Sequence, residues 1–200
     1  LPKPLNQTWL GLFVGGLDKE QQRYGIALSG GDMASTPGPL SIAITMLGEL
    51  QSNNALKRSN AKIGDVIWVS GTIGDAGLAL KVVNGEIKTD NKGDRRFLLE
   101  RLHLPKPRLE LGQNLVGVAN SAADISDGLI VDLDNICRAS GLGAVIRAMS
   151  VPKSDCVSRL ISKSKKLDIS TILVSGDDYE LVFTASPDHT NKINALSDEI

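Results

Sequence analysis

The passage that most restricts how this chain can fold is Ala122-Ala123-Asp124-Ile125-Ser126-Asp127-Gly128-Leu129, where one periodicity gives way to another. Ala122, Ala123 and Ile125 read as a short strand. From Leu129 the apolar positions Leu129, Leu133, Ile136 and Cys137 recur at helical spacing until Ser140-Gly141 stops the run. A strand that turns directly into an amphipathic helix places Ser126 and Asp127 at the helix N-terminus, and two readings of their side chains stay open. They can accept the free amide N–H groups of the first turn, where the helix dipole also favours them. Alternatively they join Asp124, a carboxylate at the strand end with no Lys or Arg beside it in sequence, in a set that needs a cation. Oxygen donors alone suit Mg²⁺.

Composition removes several classes of function. Twenty-two basic residues against 23 acidic ones give a formal net charge of −1, spread along the chain, so there is no electrostatic footprint for nucleic acid or an anionic membrane. No apolar run approaches the roughly 18–20 residues of a membrane span, and no basic-then-apolar signal segment is present. The expectation is a cytoplasmic protein with neither a membrane nor a nucleic-acid partner. Cys137 and Cys156 are unclustered and read as free thiols, and with only His103 and His189 a histidine metal site is not expected. The chain opens Leu1-Pro2-Lys3-Pro4 without an initiator Met and ends at Ile200 inside an expected helix, so it reads as an excerpt of a longer polypeptide.

Asn6-Gln7-Thr8 offers a cap, and Trp9, Leu10, Leu12, Phe13 and Leu17 form a stripe that predicts a helix over 7–24, closed by Tyr24-Gly25. Ile26-Ala27-Leu28 reads as a short buried strand running into Ser29-Gly30-Gly31-Asp32, and Leu40 to Gly48 as an alternating strand after Pro37-Gly38-Pro39. The polar stretch Leu50 to Asn60, with Gln51-Ser52-Asn53-Asn54 and Lys57-Arg58, marks a domain junction, which divides the chain into 1–56 and 57–200. Arg58 there is either solvated or a phosphate clamp. Val66 to Ser70 reads as a strand buried on both faces. It is followed by the glycine loop Gly71-Thr72-Ile73-Gly74-Asp75-Ala76-Gly77 and a helix from Leu78 to Val83. That loop could present N–H groups to an anion or could reflect tight helix-on-strand packing. Its spacing fits neither the dinucleotide fingerprint nor the Walker loop. Helices are predicted over 93–103 and 108–120, a strand over 144–147, a polar helical stretch from Pro152 to about Lys166, and strands over 171–174 and 181–185. Glycine and aspartate meet at three turns: Gly30-Gly31-Asp32, Asp124 to Gly128, and Gly176-Asp177-Asp178. Each alone is compatible with an ordinary turn. Together, with no histidine or serine–base constellation, they point to magnesium-assisted phosphoryl transfer.

These motifs have a family likeness. Ser29-Gly30-Gly31-Asp32, Pro37-Gly38-Pro39-Leu40, Ala61-Lys62-Ile63-Gly64-Asp65 with Val69 to Asp75, Pro105-Lys106-Pro107-Arg108, Asp124 to Leu129 and Gly176-Asp177-Asp178-Tyr179-Glu180-Leu181 resemble, in order and spacing, the thiamine-monophosphate kinases of the aminoimidazole-ribonucleotide-synthetase-like ATP-binding superfamily. The resemblance implies an α+β, two-domain fold, incomplete here at both ends. Residues 1–56 would finish an ATP-binding and dimerisation domain, and 57–200 would form most of a C-terminal one. It implies γ-phosphoryl transfer from ATP to thiamine monophosphate with Mg²⁺, in a homodimer. Carried over by motif, Gly31, Asp32, Arg58 and Ser126 would bind ATP, and Asp32, Asp124 and Asp127 would hold metal. Asp177 would contact the substrate at a position where the family usually has glutamate, and Met33 replaces the family's usual small hydroxyl residue. The early metal motif and the C-terminal end lie outside the sequence, so the chain alone is expected to be inactive. Two alternatives are a non-catalytic remnant and another superfamily member such as selenophosphate synthetase or aminoimidazole ribonucleotide synthetase, though the Gly-Asp-Asp-Tyr-Glu-Leu run argues against the latter two.

Overall fold

The computed structural model describes residues 1, 4, 6–51, 54–164 and 166–199. Ser52 and Asn53 of the expected junction, and Ile200 of the expected last helix, lie outside these. The backbone divides into two compact units, Leu1–Glu49 and Leu50–Ile200. This division comes before the expected 56/57 junction, and Leu56 packs with the second unit's core.

In the first unit, helix α1 (Gln7–Tyr24) forms where the stripe predicts it. The Asn6 side chain accepts the Trp9 N–H, and Gly25, at φ 62°, closes the helix with its N–H on the Gln21 carbonyl. Trp9 and Phe13, one turn apart, stack with ring centroids at 5.3 Å. The strands expected at 26–28 and 40–48 do not form. Alternation supplies an apolar face, but a strand also needs a neighbouring backbone to complete its hydrogen bonds, and the described residues of this unit contain no ladder. Leu28, Ile44 and Met46 remain 65%, 68% and 72% exposed.

The second unit is built on a three-stranded antiparallel sheet of β1 (Val66–Val69), β2 (Ser121–Ile125) and β3 (Glu180–Ala185), in the order β1-β3-β2. β3 sits in the centre and is the strand buried on both faces. β1, expected to be so, is an edge strand with Val66 38% exposed. Around the sheet lie α2 (Asp75–Val83), α3 (Lys92–His103), α4 (Leu109–Asn114), α5 (Leu129–Ser140), α6 (Asp155–Lys163), α7 (Ile169–Leu173) and α8 (Thr190–Glu199). The two-residue strand period sorts the side chains. Ile67, Val69, Ala123, Ile125 and Val182 face α5, where they meet Leu129, Leu133 and Ile136. Trp68, Ala122, Phe183 and Ala185 face the opposite side, where they meet Leu115, Val118 and Ile193 of α8. Trp68 and Phe183 are a cross-strand pair with stacked rings. A third cluster joins Leu78 and Val82 of α2, Leu98 of α3, Val157 and Leu160 of α6, and Ile172 of α7.

Four further expectations need correction. Helix α2 begins at Asp75 rather than Leu78. The helix expected over 108–120 ends at Asn114, because Gly117 turns left-handed at φ 75° and leads the chain into β2. The stretch 144–147 forms no strand, and Val145 is 87% exposed. The stretch 171–174 forms no strand: Thr171 to Leu173 end helix α7 and Val174 is its C-cap. Asp168 caps it by accepting the Thr171 N–H at 3.0 Å while the Thr171 hydroxyl accepts the Asp168 N–H, and this local capping box overrides side-chain propensity.

Candidate functional site

β2 delivers Asp124 to the end of the sheet, and the chain then turns through Ser126, Asp127 and Gly128 into α5. The capping reading of Ser126 and Asp127 fails here, because neither side chain bonds to an N–H group of the first turn of α5. The buried Asp132, in the first turn of α5, folds back so that one carboxylate oxygen accepts the N–H groups of Ser126, Asp127 and Gly128 at 3.0, 3.0 and 3.2 Å. The Asp127 carboxylate is left exposed and without a capping role. Asp124 is exposed too, but it does have a cation. Arg58 reaches it from a 3₁₀ turn, Nη2 to Oδ1 at 3.7 Å, with both side chains about half exposed. Ser140, at the C-terminus of α5, holds that turn in place by donating to the Arg58 carbonyl at 2.9 Å and accepting the Ala61 N–H at 3.2 Å. Arg58 and Asp124, read separately from the sequence, are therefore brought together. At this exposure the pair contributes at most about 1 kcal/mol to stability.

The segment 174–179 lies directly against the turn. The Asp177 N–H donates to the Ser126 carbonyl at 2.9 Å and the Tyr179 N–H to the Ile125 carbonyl at 2.8 Å. Gly176 approaches the Ser126 carbonyl so closely that an added Cβ would collide with it. The motifs around Asp127 and Asp177, about fifty residues apart in sequence, thus form one structural unit, with Asp124, Asp127, Ser126, Arg58 and Asp177 at one end of the sheet. Gly31 and Asp32 belong to the first unit and lie in exposed irregular backbone. Among the described residues no three His, Cys, Asp or Glu side chains converge as a metal cluster.

The glycine loop after β1 has a third explanation beyond the two read from its sequence. Its N–H groups do hold an anion, but the anion is the chain's own Asp178. The buried Asp178 carboxylate accepts the Gly74 N–H at 2.6 Å and the Ala76 N–H at 3.1 Å, capping α2 from a distant segment. Gly74, at φ 89°, could not carry a side chain, since a Cβ would fall on Ile172. Burial pushes the Asp178 carboxyl up to about 6, only partly offset by these two N–H bonds and by Arg101, with Asp75 adding repulsion.

Beside it lies a buried ionic network with members from α2, α3 and β3, from the loop after β1 and from the residue that caps α6. Glu180 receives Arg108 at both oxygens, 2.7 and 2.8 Å, with Arg101 at 2.9 Å and Ser70 at 2.6 Å. Burial alone would raise the Glu180 carboxyl; the Arg108 and Ser70 hydrogen bonds and the two guanidinium charges outweigh it and hold the group below its ordinary value. The same pairing raises Arg108. Asp75, fully buried, is donated to by Thr72 and Ser154 hydroxyls at 2.5 Å each and faces Arg101 Nε at 3.4 Å. The sequence assigns none of these residues a role: Ser70, Thr72, Asp75, Arg108 and Glu180 stand inside motifs, and Arg101 and Ser154 in none. The only signal was the presence of charged residues inside otherwise apolar or glycine-rich motifs.

Residues 62–199 match the family of the AIR synthase related protein, C-terminal domain, and the chain belongs to it. Within that class, curated relatives of the chain are thiamine-monophosphate kinases, as the motifs had indicated. The enzyme of Salmonella typhimurium strain LT2 is 39% identical over 180 residues, covering 90% of this chain and 54% of the relative. That of Haemophilus influenzae is 37% identical over 191 residues, covering 94% and 56%. Among solved structures, thiamine-monophosphate kinase from Stenotrophomonas maltophilia K279a superposes with a TM-score of 0.89 at 36% identity, covering 98% of this chain and 62% of that one. AaThiL complexed with AMPPCP and TMP gives 0.80 at 25% identity, covering 96% and 61%. The chain spans about half the length of the curated relatives it matches.

Proposed function

We propose that this chain serves as part of a thiamine-monophosphate kinase, in which the γ-phosphoryl group of ATP passes to thiamine monophosphate to give thiamine diphosphate and ADP. The observation that carries the reading is that the Asp127 side chain caps nothing, while Asp132 accepts the N–H groups of the turn and Asp124 holds Arg58 there. Two exposed carboxylates with only oxygen donors, next to a guanidinium, fit the needs of a magnesium nucleotide. Bound Mg²⁺ would neutralise phosphate charge as it develops during transfer. In this reading Asp124 and Asp127 hold metal, while Arg58 and Ser126 bind ATP; on the motif resemblance alone, Gly31 and Asp32 of the first unit are also assigned to ATP, and Asp32 to metal. Asp177, one methylene shorter than the usual glutamate, contacts thiamine monophosphate. No strong general base is needed, because the acceptor is already an anionic phosphate and catalysis rests on positioning and charge neutralisation. AaThiL, described with an ATP analogue and TMP bound, supports the choice of ligands.

Calorimetric titration of the chain with AMPPCP, with and without Mg²⁺, tests this. The expected result is saturable binding that needs the metal. Absence of binding at millimolar nucleotide and Mg²⁺ would sink the proposal and leave the non-catalytic remnant as the better reading.

A further inference from the structure

The loop that carries Asp177 is held in a shape its own residues resist. Asp177 and Tyr179 have positive φ, 68° and 49°, and they are the two non-glycine residues with this property among those described. Such backbone persists only where the surroundings overdetermine it. Here the N–H groups of both strained residues are tied to the Ser126 and Ile125 carbonyls. Between them the Asp178 side chain turns inward, 1% exposed, onto the N–H groups of Gly74 and Ala76 at the start of α2. Glu180 follows, anchored by Arg101, Arg108 and Ser70. The loop thus alternates, with Asp178 and Glu180 buried while Tyr179 is 44% exposed and Asp177 partly so.

We infer that Asp178 is a positioning residue: its carboxylate, bonded to the first turn of α2, latches the strained 176–179 loop against Ile125–Asp127, so that Asp177 is presented to ligand in a fixed place. Strain in Asp177 and Tyr179 favours relaxation of the loop, and the paired N–H bonds to Asp178 oppose it. A loop held in one shape before binding avoids the cost of ordering during binding. The identity of that ligand rests on the function proposed above, but the latch does not.

The test is amide hydrogen exchange on the full chain, comparing wild type with Asp178→Asn and Asp178→Ser. Asn keeps the size of the side chain, but its NH₂ group meets one of the two N–H donors; Ser removes the reach. The informative amides are Asp177 and Tyr179. The references are Ser70 and Asn120, whose N–H groups bond to Leu181 and Thr184 of the central strand. The expected result is a loss of protection of about tenfold or more at Asp177 and Tyr179 with less than about twofold change at the references, since local opening is separable from global opening. Unchanged loop amides, or a uniform loss at all four positions, overturns the latch. A parallel titration with thiamine monophosphate in the presence of Mg²⁺ and AMPPCP should show affinity about tenfold weaker in Asp178→Asn. Equal affinity in a variant whose loop has loosened overturns the positioning role. If wild type itself fails to bind thiamine monophosphate, the proposed function falls, and the exchange experiment still decides the latch.

Discussion

Asp178 and Glu180 are neighbours on one short segment, both about 1% exposed, yet their carboxyl groups move in opposite directions from their ordinary values. The cause is their partners. Glu180 faces two guanidinium groups, whereas Asp178 has two amide N–H groups and a repelling Asp75. The consequence for stability follows from proton linkage. An unfolded Asp titrates near about 3.9, so the folded state, with Asp178 at about 6, binds the extra proton between those values. Asp178 therefore contributes stability that is fully present below about pH 4 and lost as pH rises through about 6, with a slope of at most about 1.4 kcal/mol per pH unit. Glu180, held low, contributes in the opposite sense, with stability present above its ordinary unfolded value and lost as pH falls through its depressed one. Urea unfolding of wild type and Asp178→Asn at pH 5 and pH 7.5 should show the variant losing less stability than wild type over that rise in pH. Identical pH dependence in the two proteins would contradict the account. This network could not be seen in the sequence, because Glu180 and Arg108 stand 72 residues apart and long-range pairing leaves no local pattern.

Among the elements, α1 and α5 were legible because start, stripe and stop agree. Asn6 and Gly25 bracket α1, and Gly141, at φ 66°, closes α5 with its apolar face on the sheet. What failed was the assignment of duties at the start of α5, where Ser126 and Asp127 look like caps but bond to none of its first-turn N–H groups, and Asp132 folds back to hold the preceding turn. Sequence spacing cannot tell a carboxylate that folds back from one that points outward. α7 failed for a related reason, since Thr171, Ile172 and Val174 have strand propensity and the Asp168 box decides otherwise. A direct comparison checks the division of labour. Asp132→Ala leaves three N–H groups without their acceptor and should cost roughly 2–3 kcal/mol in denaturant unfolding, while Asp127→Ala should cost no more than a few tenths. Equal costs would contradict this division and give the Asp127 side chain a structural role at the turn.

At the scale of the whole molecule, the order of six short motifs revealed the family where secondary-structure periodicity could not, because such turns are constrained by packing that propensity does not register. Gly74 and Gly176 are examples, each lying where any Cβ would strike a neighbour. The fold class agrees with the motif reading, and the strands expected in the first unit do not form. The central claim is that the turn after β2 is a magnesium-nucleotide site and not a helix cap. The melting temperature of wild type and the Asp124→Asn, Asp127→Asn double variant, each with and without Mg²⁺ and a non-hydrolysable ATP analogue, tests it most directly. Without ligand the variant should melt close to wild type, since Asp127 caps nothing and the exposed Arg58–Asp124 pair is worth at most about 1 kcal/mol. With ligand, wild type should gain roughly 5–10 °C at a hundredfold excess over Kd, because binding to the folded state alone stabilises it by mass action, and the variant should lose most of that gain. A full shift retained in the double variant would contradict the account and remove Asp124 and Asp127 from the site.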